Sequence, residues 1–136
     1  AECTFNGTKS WFKKSGRKVP TATHYVIGSN GDVCQMVPDL SACWHAGNME
    51  WNLKSIGIEH EGFTDKTIFS EELLHASARV VAALCKTYGI PIDRDHIVGH
   101  SEVPRATHTD PGLTWHWDRY MRLVTQSPTP GAAGGP

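Results

Sequence analysis

His100, His108 and Asp110 fall within one short stretch, Val98–Gly112 (VGHSEVPRATHTDPG), which follows an apolar run and stops at Asp-Pro-Gly. A loop of this kind can fold back so that imidazole and carboxylate meet, and that donor set suits Zn2+. On its own the stretch also reads as a solvated polar loop. Hydrolysis of an amide at a metal needs more than ligands. A carboxylate must take the proton of the attacking water, and a donor or cation must support the oxyanion. Glu59, near the end of the apolar run Ser55–Gly62 (SIGIEHEG), is the candidate base, and Glu61 is its rival. His108 lies close in sequence to His100 and Asp110. Each has a blander reading: Glu59 as an exposed strand-end charge, His108 as a solvated ring, and His45 as packed against Trp44.

Composition bounds what could hold these residues. With 136 residues and 15.0 kDa, the chain is one domain that can bury a single core. Its 39% apolar and 20% charged residues are those of an ordinary globular protein. A net charge of −1, from 13 basic and 14 acidic residues, argues against nucleic acid or an anionic membrane as the main partner. The basic cluster Lys13, Lys14, Arg17 and Lys18 reads as a solvated helix end and loop. Eight histidines favour a site. Cys3, Cys34, Cys43 and Cys85 have no CxxC spacing, so they are not a zinc ribbon. Disulfide pairing stays open, and buried free thiols are the simpler reading. No apolar run is long enough for membrane insertion. The chain begins at Ala1 without a signal peptide, which points to a segment lost or cut upstream.

The elements that must position the site follow from periodicity and punctuation. Thr4–Lys14 reads as a short helix with Thr8 near its start. Thr21–Gly28 and Asp32–Val37, joined by Ser29-Asn30-Gly31, read as a hairpin. Pro38–Trp51 reads as a loop, and Ser55–Gly62 as a strand. Ser70 caps a helix over Glu71–Tyr88, which Gly89 ends and Pro91 keeps from continuing. His96–Gly99 reads as a strand leading into the His100 loop, and about Trp115–Thr125 as a last helix. Residues 127–136 (SPTPGAAGGP) have a linker's composition. The expected fold is α/β, a mixed central sheet flanked by helices, with residues 1–126 as the domain and 127–136 as a tail.

Four motifs, THYVIGSNGDVCQMV, CWHAGN, SIGIEHEG and GHSEVPRATHTDPG, resemble in that order the zinc-dependent N-acetylmuramoyl-L-alanine amidases. This is the family of phage endolysin amidases and anhydro-muropeptide amidases, related to peptidoglycan recognition proteins. The resemblance covers roughly residues 5–125. It implies a zinc groove and hydrolysis of the amide joining the N-acetylmuramic lactyl group to L-alanine. On it, His100 and Asp110 are the second and third zinc ligands and Glu59 is the catalytic carboxylate. His108 stands where many members have a Lys that supports the tetrahedral intermediate. Trp44 and His45 form the groove wall, with His24 and Thr109 also assigned to substrate contact. The implied partner is bacterial peptidoglycan, met by a monomer that is linked through its tail to a wall-binding module. The implied location is the cell wall, reached by an endolysin or by secretion.

One departure concerns the first zinc ligand. In the family it is a His in an N-terminal strand ending His-x-Thr-Ala, and Ala1 resembles that final Ala. The expected ligand then lies just upstream, with His24 as the nearest in-chain substitute. Two in-chain ligands alone would hold zinc weakly. Two alternatives therefore stand. One is a non-catalytic module of the same fold that binds muropeptides. The other is a cysteine peptidase using Cys43, disfavoured because Cys43 lies in a loop rather than at a helix start.

Overall fold

The computed structural model describes residues 2–3, 5–13 and 21–128, with the backbone alone at 2, 3, 8, 11 and 12. Ala1, most of the basic cluster, the side chain of Cys3 and the tail from 129 onward lie outside the described residues. The chain runs β1 (Glu2–Cys3), α1 (Phe5–Lys13), β2 (Tyr25–Ile27), β3 (Val33–Gln35) and α2 (Met49–Lys54). It continues through β4 (Ile58–His60), β5 (Gly62–Phe63), α3 (Glu71–Tyr88), a 3-10 turn over His100–Glu102 and α4 (Trp117–Gln126).

The hairpin forms where Asn-Gly places it. Gly31 takes φ 87°, Asn30 Oδ1 accepts from Asp32 N at 3.0 Å, and β2 and β3 pair antiparallel with Val26 opposite Cys34. β4 pairs parallel with the other edge of β2, Val26 opposite Glu59, giving a mixed sheet in the order β3-β2-β4. A second, two-stranded sheet joins β1 to β5. Val26 and Ile27 are fully buried, so β2 is the centre of the sheet.

α3 spans the expected residues because its ends are chemically marked. Ser70 Oγ accepts from Leu73 N at 3.2 Å, and Gly89 takes the left-handed conformation at φ 66° while donating to the Cys85 carbonyl. Its buried face, with Leu73, Val81 and Leu84, packs on the sheet and on Tyr120 and Val124 of α4. Trp115 precedes α4 instead of starting it, because its ring is buried against Phe69 and Tyr120. A hydrogen-bonded chain crosses the core: His60 Nε2 to Ser77 Oγ at 2.7 Å, and Ser77 Oγ to Tyr120 OH at 2.7 Å. It ties β4, α3 and α4 together.

Two expectations change. Residues 49–54, read within or beside a loop, form α2, because Asn48 caps it by accepting from Glu50 N and Trp51 N, and Lys54 pairs with Glu50 at 2.7 Å. His96–Gly99 is not a strand. Among the described residues no strand pairs with the edge of β4 to which the Ile58 and His60 backbone groups point, and this segment leaves that edge open. Instead Ile97 N donates to Asp93 O at 3.0 Å, and the chain passes directly into the 3-10 turn.

Candidate active site

The sheet edge and the His100 loop meet across a cavity of about 1140 Å3, whose lining includes Trp44, His45, Asn48, Glu59, His100 and His108. Asp110 also faces it. Side chains alternate along β4, so Ile58 and His60 turn to the core under α3 while Glu59 faces the other way. Glu61 shares the Glu59 face but accepts from Ser29 N at 2.7 Å and holds the hairpin turn. Of the two rivals, Glu59 is the one on the cavity.

Three donor groups gather at the loop. His100 Nδ1 lies 3.4 Å and His108 Nδ1 3.8 Å from Asp110 Oδ1, and the two rings stack with centroids 4.3 Å apart. One ligand atom from each lies within 4.8 Å of the others. Ser101 N donates to the Asp110 carbonyl at 3.0 Å, which closes the loop on itself. Two imidazoles and a carboxylate at this spacing are a donor set that suits zinc. The residues present therefore fit zinc. His108 is the exposed member, at 60%, whereas His100 and Asp110 are largely covered. Thr109 is exposed and is not part of the cavity lining.

Charge and burial set the protonation states. Burial raises the Glu59 carboxyl above the usual range, and Asp110 adds to this while His100 opposes it. The Asp110 carboxylate raises the His100 imidazole. Burial, the largest influence, would raise Asp110, but the His100 hydrogen bond and charge, with the other hydrogen bonds and positive charge around it, together hold that carboxyl low. His60 is lowered to about 3 by burial, so it is neutral in its chain with Ser77.

His24, Cys43 and His45 form a second cluster with donor-atom spacing short enough for a metal. Its imidazole nitrogens are already engaged. His24 is fully buried, with Nδ1 accepting from Gly57 N at 3.0 Å and Nε2 donating to Ser41 O at 2.9 Å. His45 donates from Nδ1 to Cys43 O at 2.8 Å, and Ser55 Oγ lies 2.9 Å from its Nε2. Burial lowers His45 to about 4 and raises the Cys43 thiol to about 11. Of the expected roles of His24, as a groove residue or a substitute ligand, the structure brings neither to the His100 loop: its ring is engaged by backbone and pins the groove-wall loop to the sheet. The raised thiol leaves a cysteine nucleophile at Cys43 without a thiolate. The described cysteines Cys34, Cys43 and Cys85 are free thiols.

Asn52 is a residue that motif spacing does not reveal. Its buried carboxamide oxygen accepts from His45 N at 3.0 Å and Ala46 N at 2.7 Å, so α2 holds the wall in place. A carboxamide several residues downstream of a loop carries no recognisable signal.

Comparison with known proteins gives a consistent result. Residues 1–113 match the N-acetylmuramoyl-L-alanine amidase family. N-acetylmuramoyl-L-alanine amidase A of Achromobacter lyticus is 30% identical over 154 aligned residues, covering 99% of this chain and 82% of that protein. The 1,6-anhydro-N-acetylmuramyl-L-alanine amidase AmpD of Citrobacter freundii is 34% identical, covering 78% of this chain and 58% of the relative. A crystal structure of a selenomethionine AmpD derivative superposes with a TM-score of 0.71 at 31% identity, covering 79% of this chain and 62% of that one. The chain thus spans about three-fifths of the AmpD relatives' length. The family match over most of the chain and the likeness to these relatives show that the chain belongs to the N-acetylmuramoyl-L-alanine amidase family.

Proposed function

We propose that this chain is a peptidoglycan amidase that hydrolyses the bond between the N-acetylmuramic lactyl group and L-alanine. The supporting observation is the convergence of Glu59, from β4, with His100 and Asp110, from a loop far along the chain, on one groove. His100 and Asp110 are the residues that would hold zinc. When bound there, zinc supplies a Lewis acid. Glu59, with its carboxyl raised by burial, takes the proton of the attacking water and then gives it to the departing alanine nitrogen. His108, exposed at the mouth, donates to the developing oxyanion. Its place within 4.8 Å of the other donors favours a second role, as a further metal ligand. Trp44 and His45 wall the groove against the glycan or peptide arm.

The relatives' names point to two substrates, the N-acetylmuramoyl-L-alanine amide and its 1,6-anhydro form. We propose lysis of intact wall, as by an endolysin, which the motif resemblance implies. The experiment incubates the zinc-loaded chain with purified sacculi and, separately, with soluble anhydro-muropeptide, and counts newly freed L-alanine amino termini. Release is expected from sacculi, and Glu59→Gln should lower kcat by roughly a hundred- to ten-thousandfold while zinc stays bound. Full activity of Glu59→Gln would sink the assignment of the base. Binding to sacculi without release by the wild-type chain would favour a non-catalytic binding module instead.

A further inference from the structure

The two ligand-bearing arms of the His100 loop share an external brace. Arg94 Nη2 reaches both carboxylate oxygens of Glu102, at 2.6 and 2.7 Å, and Arg94 Nη1 donates to the Ile97 carbonyl. The guanidinium carbon lies 3.4 Å from the centroid of the Trp117 ring. Glu102 Oε2 in turn accepts from Gly99 N at 2.6 Å, the residue immediately before His100. Gly99 has no room for a side chain: a Cβ there would lie 2.8 Å from Pro111 Cδ, 3.3 Å from Glu102 Oε2 and 3.3 Å from Trp117 Cζ2. Pro111 follows Asp110. The brace therefore grips the backbone at Gly99, on the near side of His100, and Gly99 itself lies close against Pro111, the residue just past Asp110. Ser101 N, bonded to the Asp110 carbonyl, closes the remaining side.

We propose that Arg94, Glu102 and Trp117 act as positioning residues that preset the spacing of His100 and Asp110 for a metal ion, an inference that rests on the ligand assignment above. The chemistry suits the task. A planar guanidinium can stack on an indole while directing N–H groups at a carboxylate and a carbonyl, which a lysine cannot do with one ammonium. A backbone N–H held by a charged carboxylate fixes the start of the 3-10 turn, and with it the direction in which the His100 ring leaves the chain. None of the three side chains needs to touch substrate or the reacting atoms.

The test measures zinc affinity by competition with a chromogenic chelator, together with the visible spectrum of Co2+ bound in place of zinc. Glu102→Gln, nearly isosteric, and Arg94→Met should each weaken zinc about ten- to a hundredfold and alter the Co2+ spectrum, the size expected when support of a ligand is lost. Arg94→Lys should recover only part of the affinity. Glu71→Gln removes a different ion pair, Glu71 with Arg119 between α3 and α4. It serves as the control for loss of stability alone, and its zinc affinity should stay at the wild-type value. Wild-type affinity and spectrum in Glu102→Gln and Arg94→Met, while His100→Ala loses zinc, would overturn the brace and leave the ligand assignment standing. Retention of zinc by His100→Ala would overturn the ligand assignment itself, and the brace with it.

Discussion

Glu59 and His60 are neighbours on one strand and are set to opposite tasks by facing opposite ways. Glu59 must be ionised to take a proton, and burial raises its carboxyl. Activity should therefore fall, on lowering the pH, through a value above that of an ordinary glutamate. A kcat/KM profile of the zinc-loaded chain checks this, and an acid limb at or below the ordinary glutamate range would contradict it. His60 is lowered to about 3 and stays neutral when folded, whereas the unfolded chain protonates near 6.5. Because the unfolded state then binds more protons, its contribution to stability is present above about 6.5 and is lost as the pH falls from there toward 3. His45, lowered to about 4, acts in the same direction. Urea midpoints at pH 7 and pH 4 should separate less in His60→Gln than in the wild type. Residue spacing alone left Glu59 and Glu61 as rivals, since two residues apart on a strand share a face, and the motif resemblance favoured Glu59; in the structure Ser29 N captures Glu61.

Elements with chemical marks at both ends were legible in advance. α3 runs from a serine cap to a left-handed glycine, and the hairpin turns on Asn-Gly. Ser70→Ala removes the cap to Leu73 N and the hydroxyl that donates to the Ser29 carbonyl. It should lower stability by about 1 kcal/mol, read as a drop in the denaturation midpoint without a change in slope. α2 was missed because six residues carry too little periodicity, and its start depends on the Asn48 side chain turning back on its own backbone. His96–Gly99 has strand composition without being a strand, because a strand is a property of two chains of backbone and composition describes one. In both cases the deciding hydrogen bonds are made or withheld by geometry that no local pattern encodes.

At the scale of the molecule, zinc and fold should be coupled, since His100 and Asp110 are held together only in the folded loop, which Ser101 N closes on the Asp110 carbonyl. A metal that binds the native state alone stabilises it by mass action. Chelation should lower the melting temperature, added zinc should restore it, and His100→Ala should respond to neither; thermal scans with and without chelator decide this. The sequence by itself determined the kind of fold, the candidate donors His100 and Asp110, the candidate base Glu59, and the family, through four motifs in order. Only the tertiary structure decided that His24 is spent on backbone partners, that His108 stacks on His100, and that Arg94, Glu102 and Trp117 brace the loop. The reason is physical. Residue types and spacing state which groups are able to donate, accept or ligate, whereas lone pairs are spent by neighbours far along the chain, and those neighbours are known only once it has folded.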